Sequence, residues 1–184
     1  MNIIITGKIG IGKTTVCERV MKLLRENGIT CGGILTHKVI DKGEIIGIEV
    51  EDIQSGKKSP LASTREIYQG PRTGKYFFNP GGIKSGIEAI AKGVSSDLLI
   101  IDEIGFLEWR GEGFAYALES VKSEKVKKSI LVVRTGLLPL ILVQLSREPQ
   151  IFEVTLGNRD ELPQKIYNCF KEDKKFNTIN LKIR

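Results

Sequence analysis

The chain has 184 residues, 41% apolar and 27% charged, with a formal charge of +6. At roughly 150 residues per domain, this predicts one domain over residues 1–184, able to bury about 70% of its unfolded surface. Three cysteines with no CxxC spacing and a lone histidine argue against a disulfide framework, a zinc site or a Ser-His-Asp triad. The positive balance suits anionic ligands and tolerates nucleic acid without demanding it. The longest apolar run, Leu137 to Val143, contains Pro139 and falls far short of the ~20 residues that span a bilayer. The start lacks the basic and apolar regions of a signal peptide, so a cytoplasmic protein with no membrane association is expected. No heptad pattern appears, which makes a monomer the default.

Ile3-Ile4-Ile5 ending at Gly7 reads as a buried strand meeting a turn. Val16, Val20, Leu23 and Leu24 then recur at helical spacing, and Asn27-Gly28 stops the helix. Cys31 to Thr36 and Glu44 to Val50 read as strands joined by a turn at Asp41-Lys42-Gly43. From Glu51 to Asn79 the chain is polar and broken by Pro60 and Pro71, an antiparallel excursion with a flexible loop. A helix through Ile83, Ile87, Ile90 and Val94 leads to the apolar strand Leu98 to Ile101. A helix at Phe114 to Val121 and a strand at Ile130 to Val133 follow. After them come a leucine-rich helix from Leu138, a strand at Ile151 to Thr155 and a helix from Asp160 to Phe170. Fully apolar strands alternating with helices predict an α/β fold, a mainly parallel sheet flanked by helices with a small antiparallel excursion. The basic stretches Lys122 to Lys128 and Lys171 to Arg184 read as a solvated helix end and a frayed terminus. RNA contact is the other reading, although no aromatics interleave there as a stacking platform requires.

The chemistry sits in two places. Gly7-Lys8-Ile9-Gly10-Ile11-Gly12-Lys13-Thr14 fits G-x-x-x-x-G-K-[ST] at every fixed position, between a strand and a helix as a P-loop (Walker A) requires. Its glycines let backbone N–H groups converge on phosphates at a helix N-terminus. Lys13 is expected to reach the β- and γ-phosphates, Thr14 to hold Mg²⁺, and Thr15 to lie near the α-phosphate. Asp102, ending the apolar strand Leu98 to Ile101, has the Walker-B pattern of a Mg²⁺ partner. Glu103 beside it is placed to polarise a water for attack on the γ-phosphate. The guanine-reading N-K-x-D and the transporter L-S-G-G-Q are both missing. Compact nucleotide hydrolases and small kinases remain.

Further residues resemble one family. Ile-Ile-Thr-Gly-x-x-Gly-x-Gly-Lys-Thr-Thr at the N-terminus is similar to the start of the small P-loop nucleoside-triphosphatases. Gly32-Gly33-Ile34-Leu35-Thr36, Ile100-Ile101-Asp102-Glu103-Ile104-Gly105 with Leu107-Glu108, and Asn158-Arg159-Asp160 extend the resemblance along the chain. It implies a RecA-like sheet and Mg²⁺-dependent hydrolysis of ATP, GTP and other nucleoside triphosphates to the diphosphate and phosphate. Residues Gly7 to Thr14 and Asp102, Glu103, Ile104 and Gly105 would form the nucleotide site. The pattern lapses at His37-Lys38-Val39-Ile40, where the family carries acidic and arginine residues, and again at Arg134.

Lys13, Glu103 and Arg134 are the candidate catalytic residues. Arg134, following the strand after Walker B, either neutralises charge on the γ-phosphate or forms an ion pair near the sheet edge. Arg159 either contacts the base or pairs with Asp160 or Glu161. Phe106 and Trp109 either cover the nucleotide or pack a loop. The segment Tyr68 to Asn79, with Arg72 and Lys75, is either a lid over the phosphates or an exposed loop. His37 is read as structural. The favoured activity is a phosphohydrolase; a kinase acting on a nucleoside, nucleotide or nucleic-acid hydroxyl and a nucleotide-timed binding module are the alternatives.

Overall fold

The computed structural model describes residues 1–122 and 125–172. The charged tail after Glu172, and residues 123–124 of the other basic stretch, lie outside the described residues. The first half runs β1 (Asn2–Gly7), α1 (Lys13–Glu26), β2 (Cys31–Asp41), β3 (Glu44–Asp52), β4 (Lys58–Ser63), β5 (Arg72–Thr73), β6 (Tyr76–Phe78) and α2 (Pro80–Gly93). The second half runs β7 (Leu98–Ile104), α3 (Phe106–Trp109), α4 (Ala115–Lys122), β8 (Ser129–Arg134), a single 3₁₀ turn at Thr135–Leu137, α5 (Leu138–Leu142), β9 (Gln150–Glu153) and α6 (Leu162–Glu172).

The strands form one sheet in the order β5-β6-β4-β3-β2-β7-β8-β1-β9. From β2 to β9 every pairing is parallel, and from β2 outward to β5 every pairing is antiparallel. The mixed α/β sheet flanked by helices is the architecture expected. The antiparallel excursion expected after Glu51 is there too, as the short strands β4, β5 and β6. Parallel strands need both faces covered, and their side chains divide accordingly. Ile3, Ile5, Leu98, Ile100, Ile130 and Val132 pack under α1 and α6 with Val16, Val20, Leu24, Ile166 and Phe170. Ile4, Leu99, Ile101, Leu131 and Val133 pack on the other face with Ala89 and Ile90 of α2 and Ala117, Leu118 and Val121 of α4. Among the described residues no helix is long and apolar enough to cross a membrane.

The leucine-rich helix is shorter than its apolar content suggested. Pro139 occupies its first turn, Ile141 is its buried residue, and Val143 just after it is exposed. The short α3 was not foreseen, since a four-residue helix has too few positions to show a period.

Helix α2 meets β2 without side chains between them. A Cβ on Gly93 would stand 2.4 Å from the Gly33 nitrogen, and one on Gly32 would stand 2.5 Å from the Gly93 Cα. Gly33 itself holds φ at +105°, and a Cβ there would meet the Ile100 carbonyl oxygen at 2.0 Å. The Gly32-Gly33 pair therefore sets how closely β2 lies between α2 and β7. Gly93→Ala is expected to cost about 1–3 kcal/mol through overpacking, lowering Tm by several degrees. Gly136→Ala, where a Cβ meets nothing within 4 Å, serves as the control in the same thermal melts and is expected to leave Tm unchanged.

Candidate functional site

The P-loop turns from β1 into α1 at Gly12, whose φ of 106° is left-handed and whose cap position carries no side-chain hydrogen bond. The first N–H groups of α1 are thus left without a side-chain cap, in the arrangement that binds anions. Lys13 is folded back and buried, its Nζ donating to the Gly7 and Lys8 carbonyls at 3.1 Å each. The same ammonium lies 3.6 Å from Glu103 Oε2. Arg134, which ends β8 next to Gly7 in the register, donates through Nε to the other oxygen, Glu103 Oε1. One carboxylate is therefore held between two cations.

An irregularity in β7 turns Glu103 to the cleft while Asp102 stays buried. Asp102 is opposite Val132 and Ile104 is opposite Val133, so Glu103 is an extra residue in the ladder. Without that slip, alternation would send Ile104 to the face of Asp102 and Glu103 into the core. With it, Ile104 joins Leu99 and Ile101 in the core, fully buried.

Asp102 is 1% exposed. Its Oδ2 accepts from the Thr36 N–H at 3.5 Å, and its Oδ1 has no hydrogen-bond partner among the described residues. Burial pushes the carboxyl up to about 7, Glu103 adds to the rise, and the Thr14 hydroxyl, the Thr36 N–H and Lys13 oppose it. An orphaned buried carboxylate oxygen beside a threonine hydroxyl fits a hard divalent cation. Among the described residues no group of three or more His, Cys, Asp or Glu could hold a metal alone. Mg²⁺ takes one or two carboxylates and fills its remaining positions with phosphate and water.

The turn after β7 is tied by Glu108, a buried carboxylate accepting from Gly105 N–H at 2.7 Å and Phe114 N–H at 3.0 Å. Burial raises this carboxyl, and those two backbone donors hold it down. Leu107-Glu108 thus belongs to the site as its scaffold.

The cleft has a volume of about 460 Å³. It is lined by Ile9, Gly10, Gly12, Lys13, Thr14, Thr15 and Glu18 on one side and by Thr36, His37, Lys38, Ile48, Tyr76, Glu103 and Arg134 on the other. Several sequence candidates lie elsewhere. Ile104 gives its side chain to the core, which leaves its backbone as the part of it nearest the site. Ile11 is half-buried against the α1-side core, and the Gly105 N–H is taken by Glu108. Arg159 lines a separate cavity of about 120 Å³ with Gly12, Thr15, Val16, Arg19 and Asp160. Its two anticipated partners are bonded to others, Asp160 to Arg19 at 2.8 Å and Glu161 to Lys165 at 3.0 Å.

Of the aromatics, Phe106 borders a niche of about 60 Å³ behind Glu103, and Trp109 lines neither cleft nor niche. In the excursion, the Arg72 guanidinium stacks 4.8 Å from the Phe77 ring, while Tyr76 reaches the cleft. Glu18, Thr36, His37, Lys38, Ile48 and Tyr76 were not singled out as site residues by sequence reasoning. His37 does have the structural partners expected of it, with Nε2 2.7 Å from Glu51 and Nδ1 3.7 Å from Glu18, but it also faces the cleft.

Comparison with known proteins gives a consistent picture. A family model described as NTPase matches residues 2–167. Nucleoside-triphosphatase THEP1 of Methanopyrus kandleri is 34% identical over 168 residues, covering 90% of this chain and 92% of that protein. Its counterpart in Methanosarcina barkeri is 36% identical over 174 residues, covering 94% and 98%. Among solved structures, THEP1 from Aquifex aeolicus superposes with a TM-score of 0.71 at 24% identity, over 92% of this chain and 98% of that one. The solution structure of a human cancer-related nucleoside triphosphatase gives 0.72 at 23% identity, over 94% and 98%. These two likenesses show a shared fold.

The raised Asp102 carboxyl has a stability consequence. Its folded value of about 7 lies above the ordinary aspartate value of 3.8, so the cost of ionising it in place is absent in acid, grows through that interval and is full above it. In EDTA, Asp102→Asn is therefore expected to raise Tm, by more at about pH 8 than at about pH 5. Thermal melts of both proteins at the two pH values check the sign.

Proposed function

The chain belongs to the NTPase family and is a nucleoside-triphosphatase, and on that premise we propose that Lys13, Glu103 and Arg134 carry its reaction in the cleft between the P-loop and the β2–β3 hairpin. The observation that carries this reading is the Glu103 carboxylate suspended between Lys13 and Arg134 at the end of β7. The backbone of Gly7 to Thr15 would cradle the phosphates, with the buried Lys13 ammonium moving from Glu103 to the β- and γ-oxygens. Glu103 then accepts a proton from a water whose oxygen bonds to the γ-phosphorus. The bond from that phosphorus to the β,γ-bridging oxygen breaks, its electron pair leaves on the β-phosphate, and the proton passes from Glu103 to the released phosphate. Arg134 acts as a positioning residue that aims the Glu103 carboxylate. Asp102 and Thr14 would hold Mg²⁺, which when bound supplies positive charge to the phosphate oxygens.

Two features favour water as the acceptor. The niche behind Glu103 is about 60 Å³, whereas a pocket for a ligand of nucleoside size runs to ~300 Å³ or more. A protein that only binds nucleotide also has no use for a carboxylate beside the Walker-B aspartate. Arg159, in the cavity beyond Thr15, offers a flat cation for stacking on a base. Stacking does not read base edges, so ATP, GTP and other nucleoside triphosphates would all be accepted. A single-domain, monomeric, cytoplasmic enzyme completes the reading.

Phosphate release from ATP, GTP, CTP and UTP, with and without Mg²⁺, tests it directly. Glu103→Gln is expected to keep nucleotide affinity and lose about 10²–10⁴ in rate; unchanged turnover would remove Glu103 as the base. Arg134→Ala is expected to lower kcat about tenfold or more with a smaller change in KM. Because its ion pair with Glu103 is partly exposed, the same change is expected to move Tm by no more than about 4 °C.

A further inference from the structure

Phosphoryl transfer spreads charge over three equatorial oxygens, and enzymes of this type commonly bring an extra cation against them. Arg134 is the obvious candidate by sequence position, but its guanidinium is engaged by Glu103. Another cation reaches the loop from the opposite wall. β2 leaves β7 after Ile34 and continues with β3 alone, so the hairpin projects past the end of the parallel sheet. Lys38 stands four residues further, about 13 Å along the strand, opposite Ile48. Its side chain returns toward the P-loop: a Cβ placed on Gly10 would lie 3.8 Å from Lys38 Nζ.

Lys38 makes no salt bridge among the described residues. The carboxylates around the cleft are already engaged, Glu18 and Glu51 at His37 and Glu103 at Lys13 and Arg134. An ammonium beside Gly10 of a phosphate-binding loop, with no salt-bridge partner among the described residues, is placed to meet the anion that such a loop binds.

We propose that Lys38 is a lysine finger supplied in cis, contacting the γ-phosphate oxygens as the bridging P–O bond lengthens. Lys38 binds the transferred group from the side opposite Lys13 and forms no bond of its own. As water adds to the γ-phosphorus and the bridging electron pair departs with the diphosphate, the ammonium answers charge on the moving oxygens. This rests on the cleft being the nucleotide site.

The test compares Lys38→Ala, Lys38→Arg and Glu103→Gln with the wild type. Three readouts are needed: steady-state hydrolysis of ATP, affinity for ADP, and affinity for ADP with Mg²⁺ and aluminium fluoride, a mimic of the transferring phosphoryl group. Lys38→Ala is expected to lower kcat about 10²–10³-fold, at or below the lower end of an arginine finger's contribution of about 10³–10⁵. It should leave ADP affinity unchanged and weaken the aluminium fluoride complex in proportion to kcat, with Lys38→Arg recovering a substantial part of both. A kcat within about threefold of wild type, or a loss matched by an equal loss of ADP affinity, would overturn the proposal. A smaller fall in kcat with unchanged ADP affinity and a weakened fluoride complex supports it with a lesser share. Glu103→Gln separates the claims. Impaired Glu103→Gln with normal Lys38→Ala leaves the site reading standing and removes the finger. The reverse pattern removes Glu103 as base and keeps Lys38.

Discussion

The charge on Glu103 is the constraint around which the rest of the site is arranged. A carboxylate at this depth needs cations, and it has two: Lys13 from the start of α1 and Arg134 from the end of β8. Neither is its neighbour in sequence. The parallel order β7-β8-β1 brings the three strand ends side by side, because β8 lies between the strand that carries the acids and the strand that leads into the P-loop. Arg134 is next to Gly7 in the register, so its guanidinium and the folded-back ammonium of Lys13 arrive from the same edge. The two cations keep Glu103 ordered before any phosphate is present. The phosphates can then compete for Lys13 while Arg134 remains on the carboxylate.

That arrangement depends on backbone details some distance away. The extra residue in β7 turns Glu103 out of the core and returns Ile104 to it, at the level where β7 leaves the sheet. Glu108 then fixes the following turn through two backbone N–H groups, so the chain cannot drift after the slip. On the other wall, the backbone contact of Gly93 with Gly32 and Gly33 sets the position of β2 against β7. Because β2 runs without a break into the hairpin, this contact also sets where Thr36, His37 and Lys38 stand over the cleft. Small residues far from the phosphates thus decide the width of the space that receives them.

The two halves of the P-loop site were readable because each is local. Gly7 to Thr14 makes one turn between one strand and one helix, and its residues meet whatever the rest of the chain does. Asp102 and Glu103 announce themselves by ending an apolar strand. That Ile104 returns to the core was not legible, because two-residue alternation carries no sign of a slipped register. The two readings of Arg159 could not be separated in the sequence, which does not show that Asp160 is held by Arg19 and Glu161 by Lys165. Lys38 stood out only as a lapse in the family pattern and Tyr76 only as part of a candidate lid, since a lysine in a strand and a tyrosine in a polar stretch look the same whether or not they overhang a cleft.

The primary structure thus settles the chemical inventory: a phosphate-binding turn, a pair of acids, apolar strands for a sheet covered on both faces, and the glycines that permit close contact. These follow from local sterics and from hydrophobic periodicity, which act over a few residues at a time. Which cation meets which carboxylate, which face Glu103 takes, and which side chains of the hairpin reach the P-loop are decided by strand order, one irregular register and one backbone contact. Those are relations between segments far apart in the chain, and charge and packing can act on them only after the sheet has brought the segments together.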